Sequence, residues 1–147
     1  MASAEDKVRE LGLDVPDYSA QPYLGLKYGS MKAYHRTGNL LFLSGHVADQ
    51  ADDTPLHPGR VGAEVTIEQG YEAARLTAVN CLATIRLALG SLDRVKCIVK
   101  SLNFVVAAPG FFDVNLVSSG ATDLFREIWG PEDGVGGRAT IGVMSLA

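Results

Sequence analysis

The stretch Leu40-Leu41-Phe42-Leu43 constrains this chain more than any other. It is a nearly unbroken apolar run without polar alternates. A β-strand turns successive side chains to opposite faces, so such a run reads as a strand buried on both sides. Thr37-Gly38-Asn39 precedes it, and Gly and Asn tolerate the positive φ of a tight hairpin turn. Residues 31–36 and 40–44 are therefore expected to form a β-hairpin. At Ser44-Gly45-His46 small and polar residues take over. This places Ser44 and Gly45 at a strand end, a common position for ligand contact.

Two helices and two more strands follow. Thr66-Ile67-Glu68-Gln69 fits a capping box, in which two side chains satisfy orphan backbone N–H groups. Behind it, Ile67, Tyr71, Ala74, Ala78, Cys81, Leu82, Ile85 and Leu89 recur at spacings that give one apolar helix face, and Gly90 supplies the stop. Residues 95–107 read as one long strand with Ile98, Leu102, Phe104 and Val106 on one side. Ala108-Pro109-Gly110 turns the chain into a second helix, which carries Phe111, Val114, Val117, Ala121, Leu124, Phe125 and Ile128 and ends at Trp129-Gly130-Pro131. A glycine-rich loop, 132–137, leads to a last strand over 138–144.

The order is ββαβαβ. It predicts one α+β domain over 29–147, with two helices on one face of a mixed sheet. No helix remains for the other face, so self-association is expected to cover it. Residues 4–13 form a short amphipathic segment ended by Pro16, with Pro22 keeping the next stretch extended. Residues 1–28 read as an N-terminal arm rather than core.

With 147 residues and 47% hydrophobic content, the chain can bury one real core. The net charge is −4, and the 13 basic residues are scattered rather than clustered, which speaks against a nucleic-acid partner. No segment has the ~18–20 apolar residues of a membrane span or the form of a signal peptide, so no membrane partner and a cytoplasmic location are expected. Cys81 and Cys97 fall in helix and strand patterns and read as two buried thiols. Without a C-x-x-C or a Cys/His cluster, no metal site is expected.

Arg138 follows Gly136-Gly137 at a strand start. Its guanidinium is a planar fork of donors matched to a carboxylate, and glycines let a ligand come close. The glycine run precedes a strand rather than a helix and is no phosphate loop. His35, His46 and His57 form no metal or triad pattern, and His46 draws interest because it follows Ser44-Gly45.

Taken together, these segments resemble the RidA/YjgF family. Residues 36–45, Arg-Thr-Gly-Asn-Leu-Leu-Phe-Leu-Ser-Gly, look like its G-N-φ-φ-φ-x-S-G motif, where φ is apolar. Residues 73–80, followed by Leu89-Gly90-Ser91-Leu92-Asp93-Arg94-Val95, resemble its first helix and the turn after it. Gly137-Arg138-Ala139-Thr140 resembles its A-R-S motif. Residues 106–111 and 120–124 are similar to a branch other than the archetypal deaminases.

The resemblance implies a chorismate-mutase-like fold, a homotrimer around a central barrel, and clefts between subunits. It implies that Arg138 holds a substrate carboxylate, with Ser44 and Gly45 lining the cleft, Asn115 or Ser119 entering it from the second helix, and Thr140 where the family has a cysteine. The implied reaction is cofactor-free hydrolysis of 2-imino acids or enamines to 2-oxo acids and ammonia. A non-catalytic binder of small carboxylates is the alternative, and RNA cleavage a further one. Met31 stands where active members carry a tyrosine, which leaves Tyr28 or Tyr34 as substitutes. The family's last strand, with its glutamate, is expected to be missing after Ala147.

Overall fold

The computed structural model describes residues 1–21 and 30–146. Pro22 and Tyr28, on which two of the expectations above rest, lie outside the described residues. The first element is the helix α1, Ala4–Glu10, opened by a capping box between Ser3 and Asp6. Strands β1, Tyr34–Thr37, and β2, Leu40–Leu43, form the hairpin. Helix α2 spans Ile67–Leu89, and a short 3₁₀ turn, Leu92–Arg94, follows. Strand β3, Lys100–Val106, helix α3, Val114–Asp133, and strand β4, Gly137–Val143, complete the order.

Local signals set most of these boundaries. Thr66 and Gln69 form the capping box of α2, and Gly90 closes it at φ 81°. In the hairpin, Thr37 pairs with Leu40, so Gly38-Asn39 is a two-residue turn with Gly38 at φ 54°. Gly130 adopts φ 84°, ψ 176° inside α3 and breaks the helix where Trp129-Gly130-Pro131 signalled a stop.

The core lies between α2 and α3. Leu82, Leu92 and Leu124 are fully buried, with Ala78, Ile85, Phe125 and Ile128 around them. Each such aliphatic side chain contributes roughly 1.5–3 kcal/mol. Arg75 grips Glu127 across the helices through two bonds of 3.1 and 2.7 Å.

Several expectations need correction. The N-terminal segment is not outside the core: Ala4 and Val8 are buried in it. Glu5 anchors α1 by accepting from Arg86 at 2.6 and 3.2 Å and from the Leu92 N–H at 2.9 Å. Spacing alone showed the apolar stripe but not the surface it meets.

Second, the four strands form two separate pairs rather than one mixed sheet. β1–β2 is antiparallel and β3–β4 is parallel, with Ser101 opposite Arg138 and Phe104 opposite Ile141. Leu41 and Leu43 of the first pair pack on the main core, while Val105 of the second packs on Val117 of α3. The expected strand over 95–107 is also shorter: β3 begins only at Lys100, and residues 95–99 run in no regular element.

Third, the run 40–43 is not buried on both faces within one chain. Leu40 and Phe42 are 47% and 56% exposed. Leu102, Phe104 and Ile141 are exposed on the second pair in the same way. Cys97 is exposed as well, whereas Cys81 packs against the core and burial pushes its thiol up to about 12. Among the described residues no helix is long and apolar enough to cross a membrane.

Candidate functional site

Residues 138, 140 and 142 share one face of β4, and contacts to α3 identify it as the helix-facing side. Thr140 Oγ1 lies 2.8 Å from Ser118 Oγ, and Gly142 lies against the side chain of Val114. Arg138, at the strand's start, reaches across to α3. Its Nη1 donates to Ser119 Oγ at 3.2 Å and to Thr122 Oγ1 at 3.1 Å. Ser119 in turn donates to the Asn115 carbonyl at 2.9 Å.

This arrangement orients the guanidinium without exhausting it. The two bonds use both hydrogens of Nη1. The other three N–H groups, on Nε and Nη2, have no protein partner among the described residues. Nε and Nη2 are the edge that a carboxylate grips with two parallel bonds.

Arg138 lines an open pocket of about 370 Å³ together with Ser101, Thr122, Asp123, Arg126 and the loop 134–136. The loop packs closely against neighbouring backbone. A β-carbon at Gly134 would strike the Phe125 carbonyl, and one at Gly136 would strike the Ile98 carbonyl. Asp123 is held from behind, since the Tyr71 hydroxyl donates to its Oδ2 at 2.8 Å. That bond, with burial and the carboxylate's charge, holds the Tyr71 hydroxyl above its ordinary pKa of 10.0.

The other expected residues are dispersed. Of the two α3 candidates, Ser119 meets Arg138, while Asn115 is exposed and offers its main-chain carbonyl. Ser44 donates through Oγ to the Lys32 carbonyl and through its N–H to the Ala33 carbonyl. Gly45 faces open space. Neither lines the Arg138 pocket, so one chain does not bring Ser44 and Gly45 to Arg138.

His46 turns inward. Its Nδ1 donates to the Ser44 carbonyl at 2.7 Å, which leaves Nε2 to accept from Thr84 Oγ1 at 2.7 Å. Asn80, one turn earlier on α2, donates to the Val47 and Asp49 carbonyls. Together they moor the segment after β2. His57 meets Glu72 at 2.8 Å, away from Arg138.

Sequence reasoning missed Ser118, Thr122, Asp123 and Arg126. Thr122 was within reach, because it lies three residues after Ser119 on the same helix face. Nothing local marks Ser118, which is buried and touches β4 only through the fold.

Comparison with known proteins agrees with this architecture. Residues 5–146 match a family described as YjgF/chorismate_mutase-like, putative endoribonuclease. Protein TCP17 of Trypanosoma cruzi is 40% identical over 88 residues, which are 60% of this chain and 55% of that protein; the match thus spans about half of its length. The crystal structure of Atu1372 from Agrobacterium tumefaciens, a protein of unknown function, superposes with a TM-score of 0.84 at 31% identity, covering 97% of this chain and 84% of that one. A protein from Shewanella oneidensis described as a putative endoribonuclease gives 0.88 at 26% identity, over 99% and 91%.

Proposed function

Because this chain belongs to the YjgF/chorismate-mutase-like family, we propose that it hydrolyses reactive 2-imino acids, or their enamine tautomers, to 2-oxo acids and ammonia without a cofactor. The observation that carries this reading is Arg138 itself: it lines a pocket of metabolite size, Ser119 and Thr122 brace its Nη1, and its Nε and Nη2 have no partner among the described residues.

The chemistry asks little of the protein. The substrate carboxylate docks on Arg138, which fixes the adjacent C=N carbon. A water adds to that carbon, and its electron pair displaces the C=N π pair onto nitrogen. The resulting carbinolamine expels ammonia and leaves the 2-oxo acid. Asp123, oriented by Tyr71 on the same pocket, is the group suited to take the proton from the attacking water and return it to the departing nitrogen.

The active form is a homotrimer in this reading. The apolar faces of both strand pairs, with Leu40, Phe42, Leu102, Phe104 and Ile141 exposed, are what a second copy would cover. The same association supplies Ser44 and Gly45 to a cleft with Arg138. The commitment of the Ser44 hydroxyl to Lys32 favours a second reading, a trimer that binds small carboxylates without turning them over.

The test is ammonia release from imino acids made in situ by an amino-acid oxidase. A rate above the spontaneous background that disappears in Arg138→Ala supports hydrolysis. No acceleration with small, branched and aromatic imino acids would exclude it for those substrates and leave the binding reading.

A further inference from the structure

A second arginine lines the Arg138 pocket. Arg126, on α3, is exposed, lines that pocket, and has no hydrogen-bond or ion-pair partner among the described residues. This sets it apart from the pocket's other charged groups. Arg138 is braced by two hydroxyls, and Asp123 accepts from Tyr71. Asp123 lies three residues before Arg126 on the helix, yet the two form no ion pair. The pocket thus carries two cationic groups and one anionic group.

One arginine is enough to hold the single carboxylate of a simple imino acid. The second is matched to a second anion. From this pairing of Arg126 with Arg138 around one pocket, we infer that the ligand is a dicarboxylate: the 2-imino acid of a dicarboxylic amino acid as substrate, and the corresponding 2-oxo diacid as product. Arg138 holds the carboxylate next to the reacting carbon, and Arg126 holds the distal one. Asp123 then faces the cationic iminium between them, so two carboxylates and one iminium meet two guanidiniums and one carboxylate. The loop 134–136 packs tightly on one wall of the pocket, where a β-carbon at Gly134 or Gly136 would strike the Phe125 or Ile98 carbonyl. The inference deepens the hydrolase reading, but its core claim concerns recognition and is tested without turnover.

The experiment is calorimetric titration of the whole chain with 2-oxoglutarate as the dianion and 2-oxobutyrate as the monoanion, at low salt. The native protein is expected to bind 2-oxoglutarate about tenfold tighter or more, the worth of one charge-assisted contact. Arg126→Gln should bring the two probes to within about twofold of each other, and Arg126→Lys should restore part of the preference. Arg138→Gln should weaken both probes. Circular dichroism checks that each variant is folded. Equal affinity for the two probes in the native protein, a preference that survives Arg126→Gln, or no binding of either probe would overturn the inference. Dianion preference without ammonia release would refute hydrolysis alone, and ammonia release without dianion preference would refute this inference alone.

Discussion

Gly120 of α3 lies directly on the main-chain carbonyl of Tyr71 in α2, with no room for a β-carbon between them. The Arg75 N–H is also close, at 3.1 Å from where that carbon would stand. This contact sets how closely the two helices approach, and with it the position of Tyr71 behind Asp123. Gly120→Ala must push backbone away from backbone, so it should destabilise the protein by about 3 kcal/mol, at the upper end of ordinary overpacking. Urea unfolding measures this, and a loss below about 1 kcal/mol would show that the helices separate freely.

Stability should fall on mild acidification through His46. Burial chiefly lowers its pKa from 6.5, against the opposing bond to the Ser44 carbonyl. The unfolded chain therefore binds the proton more readily than the folded one. The stabilisation is fully present above about pH 6.5 and declines as pH falls through the lowered folded value, with a slope of at most about 1.4 kcal/mol per pH unit. Urea midpoints between pH 7.5 and 5.5 should show this slope, and His46→Asn should flatten it. An unchanged slope in the variant would place the sensitivity elsewhere.

Glu5 ties α1 to the core. Burial pushes its carboxyl up, but the Arg86 guanidinium and the Leu92 N–H outweigh it and hold the group below its ordinary 4.5. Glu5→Ala removes an acceptor used three times and should cost about 2 kcal/mol. The Glu5 contribution is present above about pH 4.5 and is lost as pH falls through the lowered folded value, so native and variant should converge in acid.

Phe42→Asp and Phe104→Asp put a charge on each exposed apolar face. Sedimentation velocity should show a trimer for the native chain and monomers for both variants. A native monomer would refute the assembly, and with it the joining of Ser44 to Arg138.

Ser119→Ala combined with Thr122→Val removes both groups that brace Arg138. KM should rise about tenfold with a smaller change in kcat, because binding geometry rather than the reacting atoms is disturbed. A kcat effect with KM unchanged would assign the two hydroxyls to the chemistry instead.

Much of this architecture was written locally. The capping box at Thr66, the stop at Gly90, the Gly38-Asn39 turn and the break at Gly130 each depend on a few neighbouring residues, so spacing and residue type reveal them. The place of Arg138 at a strand start, just after two glycines, was legible for the same reason. Contacts between distant segments were not. The burial of Val8, the Ser118–Thr140 bond, Asp123 backed by Tyr71, and Arg126 beside Arg138 each join residues that only folding brings together. The sequence by itself determined the elements, their order and the apolar surplus of the strands. The tertiary structure decided which face of each element is covered, that the strands pair two by two, and that Ser44 and Arg138 stand apart in one chain. The reason is physical: caps and turns are satisfied within a few residues, whereas packing depends on which surfaces meet.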